Sequence, residues 1–237
     1  MQTGLIRARF LRRYQRFLAD VVLDGRTVTV HVPNTGSMAT LLPEPGEEHD
    51  CWLARATTPG RKLPYTLVLL GLADQGLALV DTSLPNRLVE EGIVAQRIPE
   101  LAGYLTLRRE VAYGQASRID LLLDDPTKGT CHIEVKNVTM AGALPGRADF
   151  PDAVTARGRK HLEELTALAR AGQRAVQFFL VSRTDCTRAG LATHIDPMYA
   201  EALRMAQEAG VEVIAYRATI SSGSITVGSA CAFSSLS

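Results

Sequence analysis

The sequence predicts two units: a small all-β barrel or sandwich over residues 1–85, then a mixed α/β domain over residues 86–237. Three observations predict it. Short strand-like runs separated by turn residues fill the amino-terminal part. From about residue 86 the pattern changes, and helical stretches alternate with strands. Asp24-Gly25 and Asp196-Pro197 mark a hairpin turn in the first unit and a helix start in the second.

In order, GLIRARFL leads into YQRFLADVVLDG, which turns at Asp24-Gly25 into RTVTVHV. A Pro/Gly-rich connection follows, then the strands CWLARAT, YTLVLLGL and GLALVDT. A barrel is the better choice if this unit binds an extended polymer, because the OB-fold is a common platform for that task. NRLVEEGIVAQRIPEL reads as one or two helices broken before Pro99, and strands are expected at 104–113, 117–123 and 131–138. A Gly- and Pro-rich loop leads to a helix at about 154–171, stopped by Gly172. AVQFFLVS is a buried strand, Asp196 caps the helix MYAEALRMAQEA, and VEVIAYRATI is the last strand before a Ser-rich tail expected to fray.

A net charge of +1 makes no overall case for nucleic acid, so such a case rests on local clustering. There is no signal peptide pattern, and the longest apolar runs, such as TLVLLGLA, are too short to span a bilayer. Cys51, Cys131, Cys186 and Cys231 lack CxxC spacing, which argues against zinc and fits reduced thiols in a cytoplasmic protein. Oligomeric state is not readable, and a dimer stays open.

The chemistry concentrates in SRIDLLLDDPTKGTCHIEVKN, residues 117–137. Strand alternation puts Arg118 and Asp120 on one face, and His132, Glu134 and Lys136 on one face of the next strand. Folding about residues 126–127 brings Asp120 roughly opposite Glu134, with Lys136 near Arg118. Two close carboxylates resist ionising together, and a divalent cation removes the conflict. Mg²⁺ (or Mn²⁺) suits such oxygen ligands, and a lysine beside it can orient water or stabilise phosphoryl charge. Asp120, Glu134 and Lys136 thus form a minimal kit for metal-dependent phosphodiester hydrolysis, with Glu110 a third metal carboxylate or an edge-strand charge. The competing interpretation is a solvated hairpin face of ordinary charge pairs.

Basic groups cluster in two places. Arg7, Arg9, Arg12, Arg13 and Arg16, interleaved with Tyr14 and Phe17, suit a sequence-tolerant nucleic-acid groove, or a protected edge strand. Arg157, Lys160 and His161 share a helix face that could hold phosphates, or merely face solvent. Asp152 either supports a metal ligand from behind or only caps the helix. Asn34, Thr35 and Ser37 in HVPNTGSM bind phosphate oxygens or close a turn.

With these residues in view, the chain resembles the sugar fermentation stimulation protein (SfsA) family. The segments that carry the resemblance are RYQRFLADV, HVPNTGSM, GYLTLRREVAYG, SRIDLLL, HIEVKNVTM, FPDAVTARGRKHLEEL, GQRAVQFFLV and GVEVIAY. The resemblance implies an amino-terminal OB-fold joined to a domain similar to PD-(D/E)xK nucleases, with the metal Asp and the ExK motif falling on Asp120, Glu134 and Lys136. It also implies DNA binding without strong sequence preference and a regulatory role in sugar (maltose) metabolism. No residue itself points to sugar: there is no aromatic-platform pattern, and Trp52 is the only tryptophan. VDT at 80–82 departs from the family's VNT at Asp81, and the 140–149 loop and Ser-rich tail lack firm counterparts. The expected function is a sequence-nonspecific DNA-binding protein with a Mg²⁺-dependent nuclease-type site; the alternative is a non-catalytic DNA-binding regulator.

Overall fold

The computed structural model describes residues 1, 3–44, 47–56, 60–113 and 117–235. Five amino-terminal strands, β1 (Ile6–Tyr14), β2 (Leu18–Leu23), β3 (Arg26–His31), β4 (His49–Arg55) and β5 (Tyr65–Gly71), curl into a barrel in the order β3-β2-β1-β4-β5. A pairing of His31 with Thr66 joins β3 to β5 and closes it. Asp24 and Gly25 both take positive φ at the β2–β3 turn, as a two-residue hairpin loop requires. Alternation explains the filling: Ala8 and Phe10, Ala19 and Val21, Leu53 and Leu67 point inward and are fully or nearly fully buried. The short β6 (Leu77–Leu79) continues the sheet beyond β5.

The second half begins with α1 (Pro85–Val94), then a 3-10 turn at Pro99–Leu101, so the helical stretch breaks before Pro99 as expected. Its main sheet has the order β15-β14-β12-β9-β8-β7, built from β7 (Thr106–Tyr113), β8 (Ser117–Asp125), β9 (Gly129–Val138), β12 (Arg174–Val181), β14 (Glu212–Ile220) and β15 (Ile225–Ala230). The strands β9, β12 and β14 run parallel, joined by crossovers through α2 (Ala156–Arg170) and α3 (Pro197–Glu208). Both helices lie on one face, where Leu162, Leu165, Tyr199 and Leu203 pack on Phe179 and Val181. On the other face α1 and the outer side of the barrel share one core, in which Val68, Leu69 and Leu79 meet Leu88, Ile133 and Phe178. A smaller sheet, β10 (Met140–Ala141), β11 (Arg147–Phe150), β13 (Arg188–Leu191) and β16 (Phe233–Ser234), flanks the strand ends.

Three expectations need correction. The chain does not end on VEVIAYRATI, because β15 pairs antiparallel with β14 and β16 joins the smaller sheet. The Ser-rich tail therefore is not frayed over the described residues: Ile225 and Val227 are buried in the main core, where they replace solvent with apolar contact. The Gly/Pro loop at 140–149 contains β10 and β11. Thr57, Gly114 and the last two residues, which fell within the CWLARAT, GYLTLRREVAYG and tail segments, lie outside the described residues.

Candidate metal and phosphate site

The β8–β9 hairpin folds in the predicted register, with Asp125 opposite Gly129 and Leu121 opposite Ile133. One step further the ladder gives way to side chains. The N–H of Val135 donates to Asp120 Oδ2 at 2.8 Å, and Asn86 Nδ2, at the start of α1, donates to Oδ1 at 2.7 Å. Burial, then the neighbouring Glu134, push the Asp120 carboxyl up to about 6.

Glu134 is 2% exposed, yet its surroundings favour the charged form. Burial works against its charge, but Lys136 and His161 outweigh it and hold the carboxyl below its ordinary value. Lys136 Nζ donates to Oε1 at 2.6 Å, and His161 Nδ1 contacts the same oxygen. Arg157 Nε donates to His161 Nε2 at 3.3 Å, which leaves the ring proton on Nδ1, facing Glu134. Glu134 Oε2 is buried and has no hydrogen-bond partner. Gln177, paired with Glu134 across β9 and β12, donates to the Glu134 carbonyl and fixes the strand beneath.

These groups line a cleft of about 540 Å³ between the two halves. Its barrel side is Arg16, the loop of Asn34, Thr35 and Gly36, and Thr82; its other side includes Asn86, Asp120, Glu134, Lys136, Asp149, Asp152 and Arg157. Among the described residues no three His, Cys, Asp or Glu side chains form a metal-binding group. A cation here would have two carboxylates at most from the predicted set, because Glu110 is exposed on β7, has φ +51° and does not line the cleft. Asp149 lines it but is paired with Arg147.

The basic residues divide sharply. Arg16 and Arg157 face the cleft, whereas Arg118 and Lys160 are exposed and do not line it. His161 is no solvent-facing cation: it is buried against Glu134, because the helix face chosen by packing turns it toward β9. Arg7, Arg9 and Arg12 are paired with Asp50, Glu48 and Asp20, which offsets their charge locally. Arg13 is spent on backbone. Its guanidinium donates to the carbonyls of Arg16, Asn34, Gly36 and Ser37 at 2.8–3.0 Å. Arg13→Ala is therefore expected to cost about 2 kcal/mol, roughly 5 °C in Tm, through lost charge-assisted bonds. A thermal melt checks this; an unchanged Tm would return Arg13 to the free cations.

Asp152 does not cap α2, whose N-cap is Thr155. It sits instead against the barrel loop, 3.4 Å from the Met38 N–H. Asn34 closes that loop, accepting from Gly36 N and donating to the Val80 carbonyl, and Ser37 Oγ accepts from Ala39 N. Asp81 accepts from the N–H and hydroxyl of Ser83, a role an asparagine oxygen performs equally well. Asn86 was not foreseen, since nothing in a helix-starting Pro-Asn pair shows which sheet residue it meets.

The family model described as "SfsA N-terminal OB domain" matches residues 11–80, and "Sugar fermentation stimulation protein RE domain" matches residues 83–224. This chain belongs to the sugar fermentation stimulation protein (SfsA) family. A homolog from Rhodospirillum centenum is 53% identical over 214 residues, 90% of this chain and 89% of the relative. One from Brucella anthropi is 49% identical over 225 residues, covering 94% and 95%. The structure of Pyrococcus furiosus SfsA in complex with Ca²⁺ superposes with a TM-score of 0.87 at 29% identity, covering 98% of this chain and 97% of that one. The closed barrel is thus the family's OB domain, followed by its α/β domain.

Proposed function

We propose that this SfsA-family protein binds DNA without strong sequence preference and hydrolyses phosphodiesters at the cleft with a divalent cation, in the manner of PD-(D/E)xK nucleases. The carrying observation is the buried Glu134 Oε2, a charged oxygen without a partner, beside a second carboxylate, Asp120, that burial and Glu134 keep hard to ionise. A cation would answer both, and the relative's complex with Ca²⁺ supports a divalent one. Asp120 and Glu134 would hold it, leaving other positions to water and phosphate oxygens, as Mg²⁺ prefers. The metal, when bound, would supply Lewis-acid stabilisation of charge on the phosphate.

The chain's own residues do the rest. His161 and Gln177 fix the Glu134 side chain and backbone. Asn86 and the Val135 N–H aim Asp120. Lys136, whose ammonium already lies in the cleft, orients the attacking water or meets the charge building on phosphate oxygens. Arg157 and Arg16 hold neighbouring phosphates.

The test is incubation with plasmid and single-stranded DNA in Mg²⁺, Mn²⁺ or EDTA. Metal-dependent cleavage is expected; binding without cleavage under all three conditions would leave a non-catalytic regulator. Lys136→Ala should retain a Mn²⁺-induced rise in Tm while losing cleavage by about 100-fold or more. If the variant cleaves at the parent rate, Lys136 only balances the charge of Glu134.

A further inference from the structure

A second groove, of about 380 Å³, opens beside the cleft on the barrel. The two share Arg16, Thr35, Gly36 and Ala153, so they form one channel, with Tyr14 at the barrel end and Glu134 on the inner floor. At one point its walls touch. A Cβ placed on Gly36 would lie 2.1 Å from Asp152 Oδ2, so the barrel loop sits directly against this carboxylate. The walls are also stitched together elsewhere. Leu79 N donates to the Ser182 carbonyl at 2.8 Å, Thr184 N to that of Leu77 at 2.9 Å, and Ala141 N to Thr40 Oγ1 at 2.9 Å. Opening the slot would break these bonds and divide the core that barrel and sheet share.

We infer, on the basis of the function proposed above, that the channel accepts a single polynucleotide strand and excludes an intact duplex. The strand passes the β1–β2 turn and brings an unpaired phosphodiester to Glu134. A cleft of this volume is of the size that holds a drug-sized ligand, about 300–1,000 Å³, which is room for one or two nucleotides. A duplex phosphate rides on a rigid cylinder, so it cannot reach a side chain 2% exposed behind touching walls. A single strand can.

The β1–β2 turn carries the second argument. Gln15 and Arg16 both hold positive φ, 46° and 62°, a conformation that costs a non-glycine residue about 1 kcal/mol or more. Glycine would relieve that cost. The strained turn points Arg16 into both halves of the channel, and among the described residues its guanidinium has no carboxylate partner. Arg13 pins the Arg16 carbonyl at 2.8 Å and so fixes this direction. Beside it Tyr14 lines the groove with Arg12 over one face of its ring, and a base would stack on the opposite face. A cation for the phosphates next to an aromatic for the bases is the pairing that sequence-tolerant strand binding uses.

The test is fluorescence anisotropy of the full chain in EDTA, with labelled oligo(dT), oligo(U) and a blunt DNA duplex of equal length. At least one strand is expected to bind about ten-fold or more tightly than the duplex, and the two strand arms tell DNA from RNA. Arg16→Gly should weaken strand binding about ten-fold while its Tm stays level or rises, since glycine suits the turn, so misfolding cannot mimic the result. Arg204→Ala removes an equal charge from α3, where it does not line the channel, and should leave binding unchanged. Duplex binding as tight as strand binding, or equal losses from Arg16→Gly and Arg204→Ala, would overturn the inference and leave the hydrolysis proposal standing. Failure of all three probes to bind, both in EDTA and with Ca²⁺ in its place, would overturn both.

Discussion

Glu134→Gln is expected to lower the Tm of the metal-free protein, whereas Asp120→Asn raises it. The two carboxylates neighbour each other, but their surroundings differ. Glu134 is stabilised as an anion by Lys136 and His161, so its removal leaves a nearly buried ammonium without its partner. Breaking a buried pair costs about 3 kcal/mol, or roughly 10 °C in a chain of this size. Asp120 has the opposite linkage. Burial and Glu134 raise its carboxyl from the ordinary 3.8 to about 6, so the folded protein binds this proton more tightly and loses stability as pH rises between those values. Asp120→Asn removes that cost. The full shift corresponds to about 3 kcal/mol above pH 6, which solvent screening of this partly exposed group reduces to about 2 kcal/mol or less, and the gain fades as pH falls to about 4. Mn²⁺ should raise the Tm of the parent and of neither variant. Melts near neutral pH and at about pH 4, with and without Mn²⁺, check all of this. Both variants moving in the same direction without metal would refute the contrast between the two carboxylates.

Asp196→Ala is expected to be at least as damaging, although Asp196 does not line the cleft. This buried carboxylate caps α3 through Tyr199 N at 2.9 Å, accepts from the N–H of Thr155, the N-cap residue of α2, at 2.8 Å, and pairs with Arg159 on α2. One side chain caps α3 and anchors the start of α2, tying the two helices together. Its loss combines a cap, about 1 kcal/mol, with an orphaned, largely buried arginine, for a total of about 3–4 kcal/mol. Burial alone would raise its carboxyl, but the two N–H donors and Arg159 hold it below 3.8. The stability it contributes is therefore complete above the unfolded value and is lost as pH falls through the lower folded one. The variant should melt about 10 °C lower near neutral pH, with a gap that narrows in acid. A constant gap across the acid range would show that the charge of Asp196 does not matter. Because α2 carries Arg157 and His161, the same variant should loosen the cleft.

The hairpin was legible because its signals are local: alternation, a polar turn of fixed length, and charge where apolar residues belong. Asp196-Pro197 and Asp24-Gly25 were legible for the same reason, since a cap or a tight turn depends on its own few residues. Partners that arrive from elsewhere were not. Arg7 and Arg9 look like free cations until β4 lies beside β1 and supplies Asp50 and, just beyond its end, Glu48. His161 lies on a basic face by helical spacing, but the sheet beneath α2 decides which part of that face is covered. Asn86 reaches Asp120 across 34 residues of sequence. The last strands were hidden by composition: ITVGSA is short and rich in small residues, and it becomes a strand because β14 offers it an edge.

The core shared by barrel and sheet has a consequence for how the protein is made. On a ribosome adding about 5–20 residues per second, the OB barrel would be complete roughly 7–30 seconds before β14 emerges. During that interval Val68, Leu69 and Leu79, together with Trp52 and Leu77, would lack the α1 and sheet residues that cover them. The nascent chain would carry a sticky flank that its own later half must cover. For the same reason the barrel is a poor candidate for transfer by gene fusion: moved without its neighbour, it would bring an uncovered apolar side into the new protein.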